Sequence, residues 1–205
     1  MNKETKTIID LIRHGEPDGG RMIRGHTIDH PLSEKGWSQM RHAVDGHCPW
    51  SVIVTSPMKR CVEFANELAS KHQLDVEIEH DLREVGFGSW EGHTPDELIA
   101  SNPDEYYAFY ENPVTNRPAG AEPLDGFMRR TVSAYQQVVD RHQGKQILIV
   151  CHAGVMRSLI AHTLHAEALG MYRIQVDNAG ISRIEHGKRG PMLTAHNASI
   201  ASLTK

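Results

Sequence analysis

Short apolar runs alternate with longer amphipathic stretches along this chain. Thr7-Ile8-Ile9-Asp10-Leu11-Ile12 and Gln146-Ile147-Leu148-Ile149-Val150 are rich in β-branched residues and are closed by polar residues and a glycine, which predicts buried parallel strands. Ser33 can cap a helix reaching to about Val44, and Ser51-Val52-Ile53-Val54-Thr55 reads as a second strand. Pro57 then opens a helix running to about Lys71. Val76 and Ile78 alternate with Glu77 and Glu79, as expected of a half-exposed edge strand. From Asp81 to about Asn116 the pattern changes to a loop carrying Gly86, Gly88 and Gly92, followed by two short helices. The capping box Thr94-Pro95-Asp96-Glu97 fixes the start of the first of them. A helix from about Pro123 to His142, the strand ending at Val150 and a helix from about Val155 to Leu164 come next. Ile181-Ser182-Arg183-Ile184 and Met192-Leu193-Thr194-Ala195 form a hairpin around residues 186–190. The expected class is α/β, a three-layer sandwich with a mostly parallel central sheet and helices on both faces. One domain is expected over residues 1–205, with a lid-like insertion at about 81–122.

Composition narrows the partner. With 205 residues and 39% hydrophobic content the chain can bury a sizeable core. The net charge of -4 comes from 22 basic and 26 acidic residues without long like-charge blocks, so neither nucleic acid nor a membrane surface is an expected partner. A small molecule is, acting on a monomer or homodimer. The polar N-terminus is followed by an apolar run too short for a signal peptide, so the expected compartment is the cytoplasm. Cys48, Cys61 and Cys151 are odd in number and far apart, which speaks against a disulfide framework or zinc knuckle. Cys151 directly precedes His152 and is a nucleophile candidate, but strand alternation points its side chain away from that of His152, so core packing is the expected role.

Both apolar runs deliver a histidine: Arg13-His14-Gly15-Glu16 after the first and Cys151-His152-Ala153-Gly154 after the second. Open α/β sheets bind ligands at the carboxyl ends of their strands, so the two imidazoles are expected in one crevice. A neutral imidazole can attack phosphorus, provided fixed positive charge surrounds the phosphoryl group. Arg13 supplies it next to His14, and Arg60 supplies it in the first turn after the second strand; its rival is Lys59, but the guanidinium fork suits phosphate better. A carboxylic acid in the Asp81–Gly92 loop can protonate a leaving alkoxide; Glu84 is the first candidate, with Glu91 and Glu16 as alternatives. No phosphate loop ending in Lys-Ser/Thr, HExxH helix or EF-hand loop is present. The pairs His26 and His30, and His162 and His165, lack a partner to complete a metal set, so no metal or other cofactor is expected. Trp90, Tyr106, Tyr107, Phe109 and Tyr110 read as packing for the insertion, with stacking on a substrate ring as the alternative.

Arg13-His14-Gly15-Glu16, Gly25, Asp29, Pro31-Leu32-Ser33, Gly36, Ser56-Pro57-Met58-Lys59-Arg60, the Glu84 loop and Cys151-His152-Ala153-Gly154 together resemble the histidine phosphatase (phosphoglycerate mutase-like) superfamily. The resemblance spans nearly the whole chain in the family's order. Phe87-Gly88-Ser89-Trp90-Glu91-Gly92 and Pro118-Ala119-Gly120-Ala121-Glu122 are most similar to its α-ribazole phosphatase branch. The resemblance implies that His14 becomes a phosphohistidine and that Arg13, Arg60 and His152 form the phosphate pocket. It also implies that Glu84 is the proton donor and later activates water. Arg24 beside Gly25, and the Ala153 amide, match further phosphate contacts, and Glu122 a substrate contact. The implied activity is metal-independent hydrolysis of a small phosphorylated metabolite, with α-ribazole 5′-phosphate of cobalamin biosynthesis as the finer expectation. The chain departs from the family at Pro17 and Gly20, where Thr and Asn are common, and at Phe64, Cys151 and Ala153. Two other readings remain: a phosphoglycerate mutase, disfavoured by the short chain, and a non-catalytic phospho-ligand binding module, disfavoured because all five central groups are present.

Overall fold

The structure is a computed structural model that describes residues 6–203. Its sheet contains β1 (Thr7–Arg13), β2 (Val52–Thr55), β3 (Val76–Ile78), β4 (Gln146–Cys151), β5 (Ile181–Gly187) and β6 (Gly190–Ala198), in the order β3-β2-β4-β1-β5-β6. β3, β2, β4 and β1 are parallel, whereas β5 runs antiparallel to β1 and pairs with β6 as a hairpin. Helices α1 (Glu34–Val44), α2 (Lys59–His72), α5 (Leu124–Arg141) and α6 (Ala153–Thr163) cover the sheet. Between β3 and α5 lie α3 (Pro95–Ser101) and α4 (Pro103–Glu111), and α7 (Ile200–Leu203) ends the described chain.

Strand alternation divides the core in two. Ile9, Leu11, Ile147, Ile149 and Cys151 pack with Phe127, Tyr135, Val138, Val155 and Leu159 from α5 and α6. Ile12, Leu148 and Val150 face the other way, against Met40, Phe64, Ala65 and Leu68 from α1 and α2. This is the expected α/β architecture with helices on both faces. Asp10 is the polar exception within β1, and it is wholly buried. Its carboxylate accepts from Trp50 Nε1 at 2.8 Å and Gln146 Nε2 at 2.9 Å, and it pairs with Arg183 Nε at 2.8 Å. A buried charge is tolerated when it is paired and hydrogen-bonded in this way.

Two helix starts differ from the sequence expectation, and both bear on the site. α2 begins at Lys59 rather than Pro57, because Asp29 Oδ1 accepts from the Lys59 amide at 2.8 Å where Met58 offers no side-chain cap. α6 begins at Ala153, earlier than the expected Val155, with His152 as N-cap. The acceptor that makes this possible comes from far along the chain: Glu84 Oε2 takes the Gly154 amide at 3.2 Å. A 3-10 helix over Ala168–Arg173 was not foreseen, and the hairpin strands are longer than expected. Among the described residues no helix is long and apolar enough to cross a membrane.

Candidate active site

β1 and β4 are neighbours in register, with Arg13 opposite Cys151. The chain leaving β1 stays tied to β4, since the His14 amide donates to the Cys151 carbonyl at 3.0 Å. The two histidines therefore meet, ring centroids 5.2 Å apart and nearly edge-on at 67°. Gly15 allows the turn that follows. A Cβ there would lie 2.3 Å from the Gly36 carbonyl oxygen, so only a glycine fits against the start of α1.

His14 Nδ1 lies 2.7 Å from the Gly15 carbonyl oxygen. A carbonyl can only accept, so Nδ1 carries the proton and the lone pair sits on Nε2. Burial, then Arg60 and Arg13, hold the His14 pKa well below the ordinary histidine range. The ring is thus neutral. His152 is wholly buried, with Nε2 at 2.7 Å from Ser56 Oγ. Burial, followed by Arg60 and the His14 ring, lowers its pKa well below the ordinary range too.

A cavity of about 520 Å³ opens beside His14, lined by Arg13, Arg24, Arg60 and Glu84 among the sequence-predicted residues. Its guanidinium groups are anchored by neutral acceptors. Arg13 donates to the Val176 carbonyl at 2.7 Å, and Arg24 to those of Asp18 and Gly20 at 2.6 and 2.7 Å. Arg60, only 1% exposed, donates to the Gly25 and Ile28 carbonyls at 2.9 and 3.1 Å, with the Asp29 carboxylate more distant at 3.9 Å. Lys59, the rival to Arg60, is exposed and outside the cavity lining.

The three candidate carboxylates are now distinguishable. Glu84 accepts from the amides of Val85 and Gly154, at 2.9 and 3.2 Å, while lining the cavity. Glu91 is committed to the Thr27 amide and hydroxyl and to the Phe87 amide, outside the lining. Glu16 lines the cavity but pairs with Lys35 at 2.7 Å. Glu122 does not reach the lining. Arg130 holds it through Nε at 2.7 Å and donates from Nη2 to the Glu84 carbonyl at 3.1 Å, so this arginine braces the loop that carries Glu84. Gly25 and Ala153 are likewise outside the lining; Gly25 packs under Glu91, and Ala153 occupies the first turn of α6.

Sequence reasoning missed Arg157, Tyr172 and Asn178, which also line the cavity. A signal for Arg157 exists only once α6 is known to start at Ala153. Ala153 and Arg157 are then one turn apart and half-buried, while every residue between them is buried. The insertion's aromatic residues divide. Trp90 is buried and stacks with Tyr106 at 5.6 Å, whereas Phe109 and Tyr110 reach the cavity. Cys61 and Cys151 are buried, and burial pushes both thiols up. Among the described residues no group of three or more His, Cys, Asp or Glu side chains is placed to hold a metal ion.

The family model described as the histidine phosphatase superfamily (branch 1) matches residues 9–199. Phosphoglycerate mutase-like protein 4 of Arabidopsis thaliana is 34% identical over 158 residues, covering 74% of this chain and 68% of that protein. The adenosylcobalamin/α-ribazole phosphatase of Escherichia coli is 27% identical over 192 residues, 92% of this chain and 94% of that one. Among solved structures, Bacillus stearothermophilus YhfR superposes with a TM-score of 0.86 at 26% identity, covering 94% of this chain and 97% of its own. The chain spans about half the length of its mycobacterial relatives, which are 29% identical over 186 residues.

Proposed function

The chain belongs to the histidine phosphatase superfamily (branch 1), and from that premise we propose that it hydrolyses a small phosphate monoester through a phosphohistidine at His14. The observation that carries this reading is the His14 ring: its proton is fixed on Nδ1 by the Gly15 carbonyl, and it is kept neutral by burial and two arginines beside a guanidinium-lined cavity.

In the first step the His14 Nε2 lone pair attacks phosphorus and the ester P–O bond breaks. Glu84 gives a proton to the departing oxygen. In the second step water attacks the phosphoryl group, Glu84 takes back a proton from it, and the N–P bond breaks to release inorganic phosphate. Arg13, Arg60 and Arg24 carry the charge on the phosphoryl oxygens, so the chemistry calls for no metal. His152 is wholly buried, outside the cavity lining and edge-on to His14, and in this reading it packs behind the ring that attacks. The Gly25 and Ala153 backbones and the Glu122 carboxylate act in this reading by shaping the loops around the phosphate. The enzyme works as a monomer or homodimer on a cytoplasmic metabolite.

The names of the relatives offer α-ribazole phosphate and phosphoserine as substrates, and the cavity wall of Phe87, Phe109, Tyr110 and Tyr172 supports an alcohol bearing a ring, which favours α-ribazole 5′-phosphate. Incubation with radiolabelled esters followed by an alkaline quench tests the chemistry. Label should appear on the protein and phosphate should be released; both should vanish in His14→Ala, and a chelator should leave turnover intact. Normal turnover by His14→Ala, or loss of turnover on chelation, overturns the reading. Formation of a phosphate isomer in place of inorganic phosphate identifies a mutase.

A further inference from the structure

Phe87, Phe109, Tyr110 and Tyr172 line the cavity from three separate parts of the chain: the Glu84 loop, α4, and the 3-10 helix over Ala168–Arg173. Rings on separate segments form one wall only if the segments are tied together. Phe87 and Phe109 are 6.0 Å apart between centroids, and Phe109 meets Tyr172 edge-on at 5.2 Å. Ring pairs of this kind contribute modestly, so they do not fix the wall by themselves.

Arg117 supplies the tie. It stands outside the cavity lining, in the segment between α4 and α5. Its Nη2 donates to the Gly86 carbonyl at 2.9 Å and its Nη1 to the Tyr172 hydroxyl at 3.3 Å. Its guanidinium carbon lies over the Phe87 ring at 5.3 Å and the Phe109 ring at 5.7 Å. One side chain therefore touches all three segments. Its own backbone is fixed against the same loop, since the Ser89 amide donates to the Ala119 carbonyl at 2.9 Å and the Glu122 amide to the Gly86 carbonyl at 3.0 Å. Both acceptors of the Arg117 fork are uncharged, so the cation faces the rings unneutralised. Its Nε is buried without a hydrogen-bond partner, a cost that attraction to the two ring faces offsets.

We propose that Arg117 is a positioning residue for the leaving-group side of this site: it sets the Phe87, Phe109 and Tyr172 rings into one wall, and through them decides how strongly the cavity prefers an alcohol bearing a ring. This rests on the phosphatase reading and its aromatic wall, and adds the group that holds the wall. Gly86 follows Glu84 by two residues, so the same side chain keeps the wall in register with the proton donor.

Benzyl phosphate and ethyl phosphate test the proposal, because both are esters of primary alcohols and only one carries a ring. In the unaltered protein kcat/KM should favour the benzyl ester at least about ten-fold, as expected when a ring is taken out of water against other rings. Arg117→Met fills a similar length of space with no charge and no donor, and should bring the ratio towards one. Tyr172→Phe keeps the ring and removes its bond to Arg117. It should lower the ratio in the unaltered background and change it no further in Arg117→Met, as two groups acting through one contact do. Urea unfolding identifies the folded variants, and if Arg117→Met does not fold, Tyr172→Phe carries the test. Calorimetry of benzylphosphonate against ethylphosphonate, which cannot be hydrolysed, should show the same preference without turnover. Equal losses on both esters, which leave the ratio intact, are what a merely structural arginine gives and overturn the proposal, as do independent, additive effects of the two substitutions. Equal turnover of the two esters by the unaltered protein sinks this inference and leaves the phosphatase reading standing. A preference for benzylphosphonate that is lost in Arg117→Met, with no hydrolysis of these esters or of p-nitrophenyl phosphate, sinks the phosphatase reading and upholds the role of Arg117.

Discussion

Gly154→Ala separates catalysis from stability. Gly154 sits in the first turn of α6, where its amide donates to Glu84 Oε2 at 3.2 Å. A Cβ at this position would lie 2.2 Å from Glu84 Oε1 and 3.2 Å from Val85 Cγ1. Carbon and oxygen cannot approach so closely, so the carboxylate must retreat by roughly 1 Å. The far end of a side chain can move, whereas backbone cannot, so the fold should accommodate the change. Helix propensity gains up to about 1 kcal/mol and the strained amide contact loses about as much, which leaves stability within about 1 kcal/mol of the parent. Catalysis should suffer more. A misplacement of about 1 Å can cost about 100-fold, within the range that a general acid supplies. The loss should depend on the leaving group. An alkyl phosphate needs its oxygen protonated and should lose about 100-fold in kcat/KM, whereas p-nitrophenyl phosphate departs as the anion and should lose less than about ten-fold. Urea unfolding on the same protein checks the stability claim. Equal losses on both esters would show that Glu84 is not the proton donor, and unimpaired alkyl ester hydrolysis would show that its placement does not matter.

Further outcomes follow from the same geometry. Gly15→Ala brings a Cβ within 2.3 Å of the Gly36 carbonyl, where backbone meets backbone, so it should cost more than about 2 kcal/mol in denaturant unfolding; a smaller loss means that the β1–α1 contact can open. His14 and His152 are held below the ordinary value of 6.5, so below about pH 6.5 the unfolded chain binds protons that the folded one refuses. Stability present above that pH should fall as the pH drops, by about 1.4 kcal/mol per unit for each histidine. His152→Gln should remove one share of that slope, and an unchanged slope would refute the neutral, buried ring. Of the three thiols, Cys61 and Cys151 are buried; a thiol reagent near pH 8 should modify no more than Cys48 before denaturation and all three after it.

Features set by local chemistry were legible in the sequence. The β-branched runs specify β1 and β4, and because parallel strands carry their ligands at one end, the pairing of His14 with His152 followed. Arg13 and Arg60 are adjacent to strand ends and fell into place with them. What stayed hidden depends on contacts far apart in the chain. The start of α6 is set by a carboxylate 70 residues away, and that start decides that Arg157 faces the cavity. Tyr172 and Asn178 lie in segments with no apolar periodicity to orient them, one on a 3-10 helix and the other in the loop before β5. Glu122 was read as a substrate contact from its motif alone, and Arg130, eight residues further on, is the partner that redirects it.

The carbonyl anchoring of the arginines ties these observations together. A guanidinium held by a carboxylate is positioned and neutralised at once; one held by carbonyl oxygens is positioned and keeps its charge. Arg13, Arg24, Arg60 and Arg157 are all hydrogen-bonded in the second way, with the Asp29 carboxylate no nearer than 3.9 Å to Arg60, so most of their field remains when a phosphoryl group arrives. That field also lowers the His14 pKa, so one arrangement both binds the dianion and keeps its attacker neutral. The acceptors lie in the loop at 18–28 and in the segment at 174–176, so those backbone paths set the positions of the charges. Substitutions that loosen either segment should weaken phosphate affinity without altering any charged residue. Gly25 is the sharpest place to test this, because its carbonyl accepts from Arg60 while its positive φ and the adjacent Glu91 admit no side chain. Gly25→Ala should raise the inhibition constant of inorganic phosphate about ten-fold, the worth of one charge-assisted hydrogen bond. Unchanged phosphate inhibition would mean that Arg60 is held in place without this loop.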